Sequence, residues 1–139
     1  LETVEPSAPR RRERSHELLQ ELGLGGKAHL RGGSLSGGER RRVEVARALV
    51  LDPKYMLLDE PFSGIDPIAV IEIQKVIEHL KVRGIGIVLT DHNVRETLSI
   101  CNRPYIIKGG VILREGKPSE IAADPTVREI YLGENFQLG

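Results

Sequence analysis

At 139 residues the chain is long enough for one domain with a buried core, and its length gives no reason to expect two. Hydrophobic residues make up 40% and charged residues 29%, while 20 Lys and Arg balance 20 Asp and Glu, which excludes a general field for nucleic acid or anionic lipid. The single cysteine, Cys101, excludes an internal disulfide framework, and no apolar run approaches the roughly 20 residues of a bilayer span.

These numbers lead to the expectation of a soluble, intracellular protein with Cys101 as a buried thiol in a reducing compartment. The chain starts on Leu1 without a signal-peptide core or an initiating methionine, and reads as a fragment. Residues 1–14 mix Pro6, Pro9 and charges without periodicity, as a tail or linker does. Two basic runs, Arg10 to Arg12 with Arg14 and Arg40 to Arg42, read as solvated helix faces, with a polyanion patch as the alternative.

From Ser15 to Leu22 the apolar residues Leu18, Leu19 and Leu22 share a helical face, and Gly23 stops it. A glycine-rich loop runs to Gly33. Ser36 and Glu39 then form an S-x-x-E capping box that opens a helix with Val43, Ala46, Leu49 and Val50 on its apolar side, closed before Pro53. Tyr55 to Leu58 is a short apolar run suited to a buried parallel strand. Asp66 and Pro67 make an N-cap and first-turn pair for a helix carrying Val70, Ile73, Ile77 and Leu80, ending near Gly84. Ile85 to Leu89 is a second buried strand, which completes a βαβ unit of the right-handed kind. A short helix over 93–100 follows. Tyr105–Ile107 and Val111–Leu113 flank Gly109–Gly110 as a hairpin, and two short helices near Ser119–Ala122 and Thr126–Leu132 finish the chain.

Asp59 and Glu60 close the first strand, where open α/β sheets place their sites. With Pro61 turning the chain away, the pair points to nucleotide hydrolysis, one acid holding Mg²⁺ and the next orienting the attacking water. The bland alternative is a helix N-cap pair. Ser36 caps a helix whose free N–H groups and positive end can receive an anion, and Gly37 and Gly38 allow close approach of a phosphate. A capped helix after a flexible loop explains the same residues. Thr90-Asp91-His92 ends the second strand beside the two acids, where His92 can hydrogen-bond a terminal phosphate or serve a purely structural role.

In this order the residues resemble the ATP-binding-cassette (ABC) ATPases. Leu35-Ser36-Gly37-Gly38-Glu39 matches the family's signature motif, Tyr55 to Glu60 its Walker B segment, Ser63 to Asp66 its D-loop, and His92 its switch histidine. The match runs from about residue 15 to the end. It implies an α/β fold, the C-terminal part of a P-loop NTPase domain: a partial parallel sheet with flanking helices, a C-terminal hairpin and short helices. Residues 15–52 would be the remnant of a helical subdomain and 53–139 the C-terminal half of the ATPase core. The resemblance also implies ATP and Mg²⁺ as ligands, with Asp59 serving Mg²⁺, Glu60 as general base and His92 sensing the γ-phosphate. Ser36, Gly37 and Gly38 would contact ATP held by a second subunit, and Asp66 would line a homodimer interface. The partners implied are that second ATPase subunit and two transmembrane permease subunits, at the cytoplasmic face of the inner membrane.

Within the family, Ser36 to Glu44, Asp59 to Pro67, Thr90 to Leu98 and the ending Tyr131-Leu-Gly-Glu-Asn-Phe are similar to the ATPases of lipopolysaccharide exporters. ATPases of branched-chain amino-acid importers are near relatives and remain the alternative. An ATPase acting on DNA ends shares the signature but needs long coiled coils, and no sustained heptads occur.

The phosphate-gripping motif G-x-x-x-x-G-K-[ST] does not occur in the 139 residues. Gly25-Gly26-Lys27-Ala28 is a decoy, with Ala28 in place of the hydroxyl residue and no apolar strand before it. Gln20, Gln74 and Gln137 are not placed for the family's glutamine loop. The expectation is a cleaved or truncated form, inactive alone, lacking the Walker A strand and so left with an apolar edge at Ile85–Leu89 that favours self-association. A non-catalytic module that donates the signature to a partner ATPase is the other reading.

Overall fold

In the computed structural model, which describes residues 7–133 and 135–137, the first helix, α1, spans Ala8–Glu21. It begins inside the stretch expected to be a tail. Pro9 lies in its first turn, where a missing N–H is harmless, so a residue assigned to the tail lies in the helix start instead. Of the expected tail, residues 1–6 lie outside the described residues, as does Glu134 of the C-terminal block.

The described chain forms two compact units, residues 7–57 with 64–88, and residues 58–63 with 89–133 and 135–137. In the first, α1 packs on α2 (Gly37–Leu49) and α2 on α3 (Pro67–Val82). Leu18 and Leu22, then Val45, Ala46 and Leu49, then Ala69, Ile73, Val76, Ile77 and Leu80 are the buried faces. Two expectations change at α2: Val45 is buried, whereas Val50, one position past the last turn, is exposed. Ion pairs tie the helices at their rims. Arg42 Nη2 lies 3.0 Å from Glu72 Oε2, and Glu21 Oε1 meets His79 Nε2 at 2.7 Å and Arg83 Nη1 at 2.6 Å. Burial pushes the Glu21 carboxyl up, but the hydrogen bonds from His79 and Arg83 outweigh it and hold the group below its ordinary value.

Strands β1 (Tyr55–Asp59) and β2 (Gly86–Thr90) run from the first unit into the second and pair as a two-stranded sheet. Gly86 N–H bonds to Lys54 O at 2.9 Å and Glu60 N–H to Thr90 O at 2.7 Å, so the strands ascend together and the pairing is parallel. Both strands were expected to be buried. Met56 is, but Tyr55 and Leu57 are 74% and 80% exposed and Val88 57%. A parallel strand is buried on both sides only when layers cover both, and among the described residues the face of Tyr55 and Leu57 is left uncovered.

In the second unit, α4 (Val94–Ile100) packs against α5 (Pro118–Ala123) and the π-helical turn Arg128–Leu132 that continues α6 (Pro125–Val127). Leu98, Ile106, Ile121, Ala122, Val127 and Leu132 form its core. Cys101 follows α4 and is half-buried, not buried. The hairpin β3 (Tyr105–Lys108) and β4 (Val111–Glu115) turns on Gly109 and Gly110 at φ +59° and +79°, the left-handed pair that a two-residue hairpin loop demands. Among the described residues, no helix is long and apolar enough to cross a membrane.

Candidate functional site

Three of the residues singled out by the sequence converge within the second unit. Asp59 is the last residue of β1, and its Oδ1 accepts a hydrogen bond from the Thr90 hydroxyl at the end of β2. Glu60 follows with φ +47°, a left-handed conformation that costs a non-glycine residue on the order of 1–2 kcal/mol. Its N–H is held by Thr90 O at 2.7 Å, and its carbonyl accepts from Ser63 N–H at 3.1 Å. Pro61 and Phe62 are buried and anchor the turn beyond it. His92 Nδ1 lies 3.7 Å from Glu60 Oε1, with both side chains more than half exposed, at 65% and 55%. A carboxylate and an imidazole therefore face solvent side by side, on backbone fixed by strand pairing. No helix starts at Asp59 or Glu60, because the next one is capped by Asp66; that removes the N-cap alternative for the acid pair.

Asp91, which the motifs assign no role, has the most enclosed carboxylate here. Oδ2 accepts from Phe62 N–H at 2.9 Å, and Oδ1 accepts from Asn93 N–H and Nδ2–H at 2.8 Å each. Its position between two strand-end motifs was the available signal, but nothing in a linear sequence shows which distant amide it will meet.

The signature residues belong to the first unit. Ser36 Oγ accepts from Glu39 N–H at 3.2 Å, and Glu39 Oε2 accepts from Ser36 N–H at 2.8 Å, which is the predicted capping box. The other carboxylate oxygen of Glu39 takes Lys27 Nζ, so the decoy lysine is paired to a helix cap. Hydrogen bonds from Lys27 and from Ser36 N–H hold the Glu39 carboxyl below its ordinary value. Leu35 O accepts from Arg40 Nη1 at 3.1 Å. The first-turn N–H groups of Gly37 and Gly38 have no acceptor within the helix. A Cβ on Gly38 would lie 2.6 Å from Ala69 Cβ, so close packing of α2 on α3 already demands glycine there. Asp66 Oδ1 caps α3 by accepting from Ala69 N–H at 3.0 Å, and the neighbouring Ile65 approaches the signature at Gly37. The structure thus groups Ser36 to Glu39 with Asp66, and separately Asp59 and Glu60 with His92.

Comparison with known proteins gives one consistent result. Residues 2–63 match the family model described as ABC transporter, and residues 115–137 that described as branched-chain amino acid ATP-binding cassette transporter. A lipopolysaccharide export system ATP-binding protein, LptB, from Acidithiobacillus ferridurans is 57% identical over 99% of this chain and 57% of its own length. The protein of the same name from Escherichia coli K12 is 54% identical over 95% of this chain and 55% of its own. Among solved structures, an ATP-binding cassette of an ABC transporter in its ADP conformation superposes with a TM-score of 0.81 at 31% identity, covering 96% of this chain and 54% of that one. The chain spans about half the length of the relatives it matches.

Proposed function

We propose, from the premise that this chain belongs to the ABC transporter ATPase family, that it forms the signature-and-base part of an ATP-hydrolysing subunit that powers lipopolysaccharide export. The observation that carries the reading is the convergence of Asp59, Glu60 and His92 at the ends of two paired parallel strands.

Asp59 presents a carboxylate oriented by the Thr90 hydroxyl. Mg²⁺ binds through one or two carboxylates plus phosphates and water, and the Asp59 carboxylate, at the strand end beside Glu60, is a donor of that kind. When bound, the ion would neutralise charge on the phosphates of ATP. Glu60, open to solvent, takes the proton of the attacking water. His92, beside it, donates a hydrogen bond to the γ-phosphate. Ser36 with the N–H groups of Gly37 and Gly38 contacts the γ-phosphate of ATP held by a second subunit, and Asp66 lies at that interface. Two transmembrane permease subunits, reached from the cytoplasmic side of the inner membrane, choose the cargo.

In the whole protein, Glu60→Gln is expected to retain ATP binding and lower kcat by about a hundredfold or more, trapping a nucleotide-bound dimer. Wild-type turnover in that variant would sink the assignment. The 139 residues alone are expected to show no saturable ATP hydrolysis. The match of residues 115–137 to the branched-chain amino-acid model supports a second reading, an importer ATPase. Co-purification of the whole protein with lipopolysaccharide-export permeases, against branched-chain importer permeases, separates the two.

A further inference from the structure

We propose that Asp91 is a positioning residue that clamps the Glu60 turn to the His92 loop and so sets the geometry in which those two groups act; this rests on the hydrolytic role proposed above. Its side chain is 0% exposed, and among the described residues no lysine or arginine lies in ion-pair range of it. Its one ionisable neighbour in that range is His92, whose Nδ1 lies 3.8 Å from Asp91 Oδ1. A buried carboxylate is costly unless hydrogen bonds satisfy it, and three N–H donors do so here. Two of these come from Asn93 and form a local turn of the kind Asp often makes. The third is Phe62 N–H, which belongs to the segment after β1 and owes nothing to local sequence. Phe62 lies two positions beyond Glu60 and Asn93 one beyond His92, so one carboxylate ties together the backbones that carry both functional groups.

That tie acts on a segment that does not hold its shape unaided. Glu60 has a left-handed backbone that its side chain disfavours, so external restraint decides whether the carboxylate stays aimed. An asparagine at position 91 has one acceptor oxygen and would turn its NH₂ group toward either Phe62 N–H or the Asn93 donors. The fold would survive with Phe62 still buried; the aim of Glu60 would not.

The test uses Asp91→Asn in the whole protein. The expected result is a kcat about thirty-fold lower with KM for ATP within about twofold in a protein that still folds cooperatively with a Tm lowered by only a few degrees, because a misplacement near 1 Å degrades chemistry more than binding. Faster hydrogen exchange at Phe62 N–H should accompany it. A kcat within about twofold of wild type, or a loss expressed in KM alone, overturns the proposal. If Asp91→Asn fails to fold, Asn93→Ala, which removes one donor and keeps the carboxylate, decides: a kcat loss of about threefold at constant KM supports the clamp and an unchanged kcat overturns it. Should the wild-type protein not hydrolyse ATP, the functional reading falls. Exchange at Phe62 then judges the clamp alone, acceleration in the variant supporting it and no change overturning it.

Discussion

The N–H of Glu60 reaches the carbonyl of Thr90 at 2.7 Å, and this bond joins the ends of two strands at the one residue of the site with a left-handed backbone. The proposed base is therefore held by its neighbour strand in a conformation its own side chain opposes. Glycine adopts that conformation freely.

Glu60→Gly is accordingly expected to stabilise the fold by about 0.5–1 kcal/mol while abolishing hydrolysis. Glu60→Ala should abolish hydrolysis without that gain, because it keeps the strain. Urea midpoints of the whole protein and its two variants check this. A glycine variant no more stable than the alanine one removes strain from the account.

Gly38 lies against Ala69 with no room for a methyl group. Gly38→Ala should cost about 1–3 kcal/mol by overpacking α2 on α3, and Ala69→Gly added to it should restore part of the loss. A double-mutant cycle measured by denaturation reads the coupling. If the two effects are simply additive, the glycine is not there for packing.

Glu21 bridges α1 to α3 through His79 and Arg83, and its folded-state carboxyl titrates below the ordinary value of 4.5. A depressed carboxyl contributes stability that is present above its unfolded value and lost as pH falls through the folded one. Wild type should therefore weaken relative to Glu21→Gln as the pH is lowered from 6 into the acid range below 4.5, and the difference between them should shrink. Parallel urea midpoints across that range, with no convergence, would contradict the linkage.

Tyr55, Leu57 and Val88 present an apolar, exposed face on β1 and β2. The 139 residues alone should self-associate with rising concentration, and the pair Leu57→Lys and Val88→Lys should shift them toward monomer. Sedimentation velocity measures both. A well-folded monomer at all concentrations for the unaltered chain would refute the expectation.

Local signals were legible in the sequence wherever a residue acts on its own neighbourhood. Ser36 with Glu39 at its helix start, Asp66 ahead of Pro67, Gly109–Gly110 between strands and the acid pair after a short apolar strand all announced their elements, because caps, turns and strand ends are decided within a few residues. The same locality misled at Pro9, which reads as part of a tail and lies in the first turn of α1, and at Val50, which kept the apolar period but lies past the last turn.

What the sequence determined by itself was the resemblance to the ABC ATPases and the candidate groups Asp59, Glu60, His92, Ser36, Gly37, Gly38 and Asp66. Only the tertiary structure decided that Asp91 spans two loops, that Gly38 answers to Ala69, and that one face of the β1–β2 pair stays exposed. Each of these depends on which distant segment arrives at a given surface. Side-chain chemistry lists what a residue can bond, whereas the packing of distant segments selects which of those bonds is made.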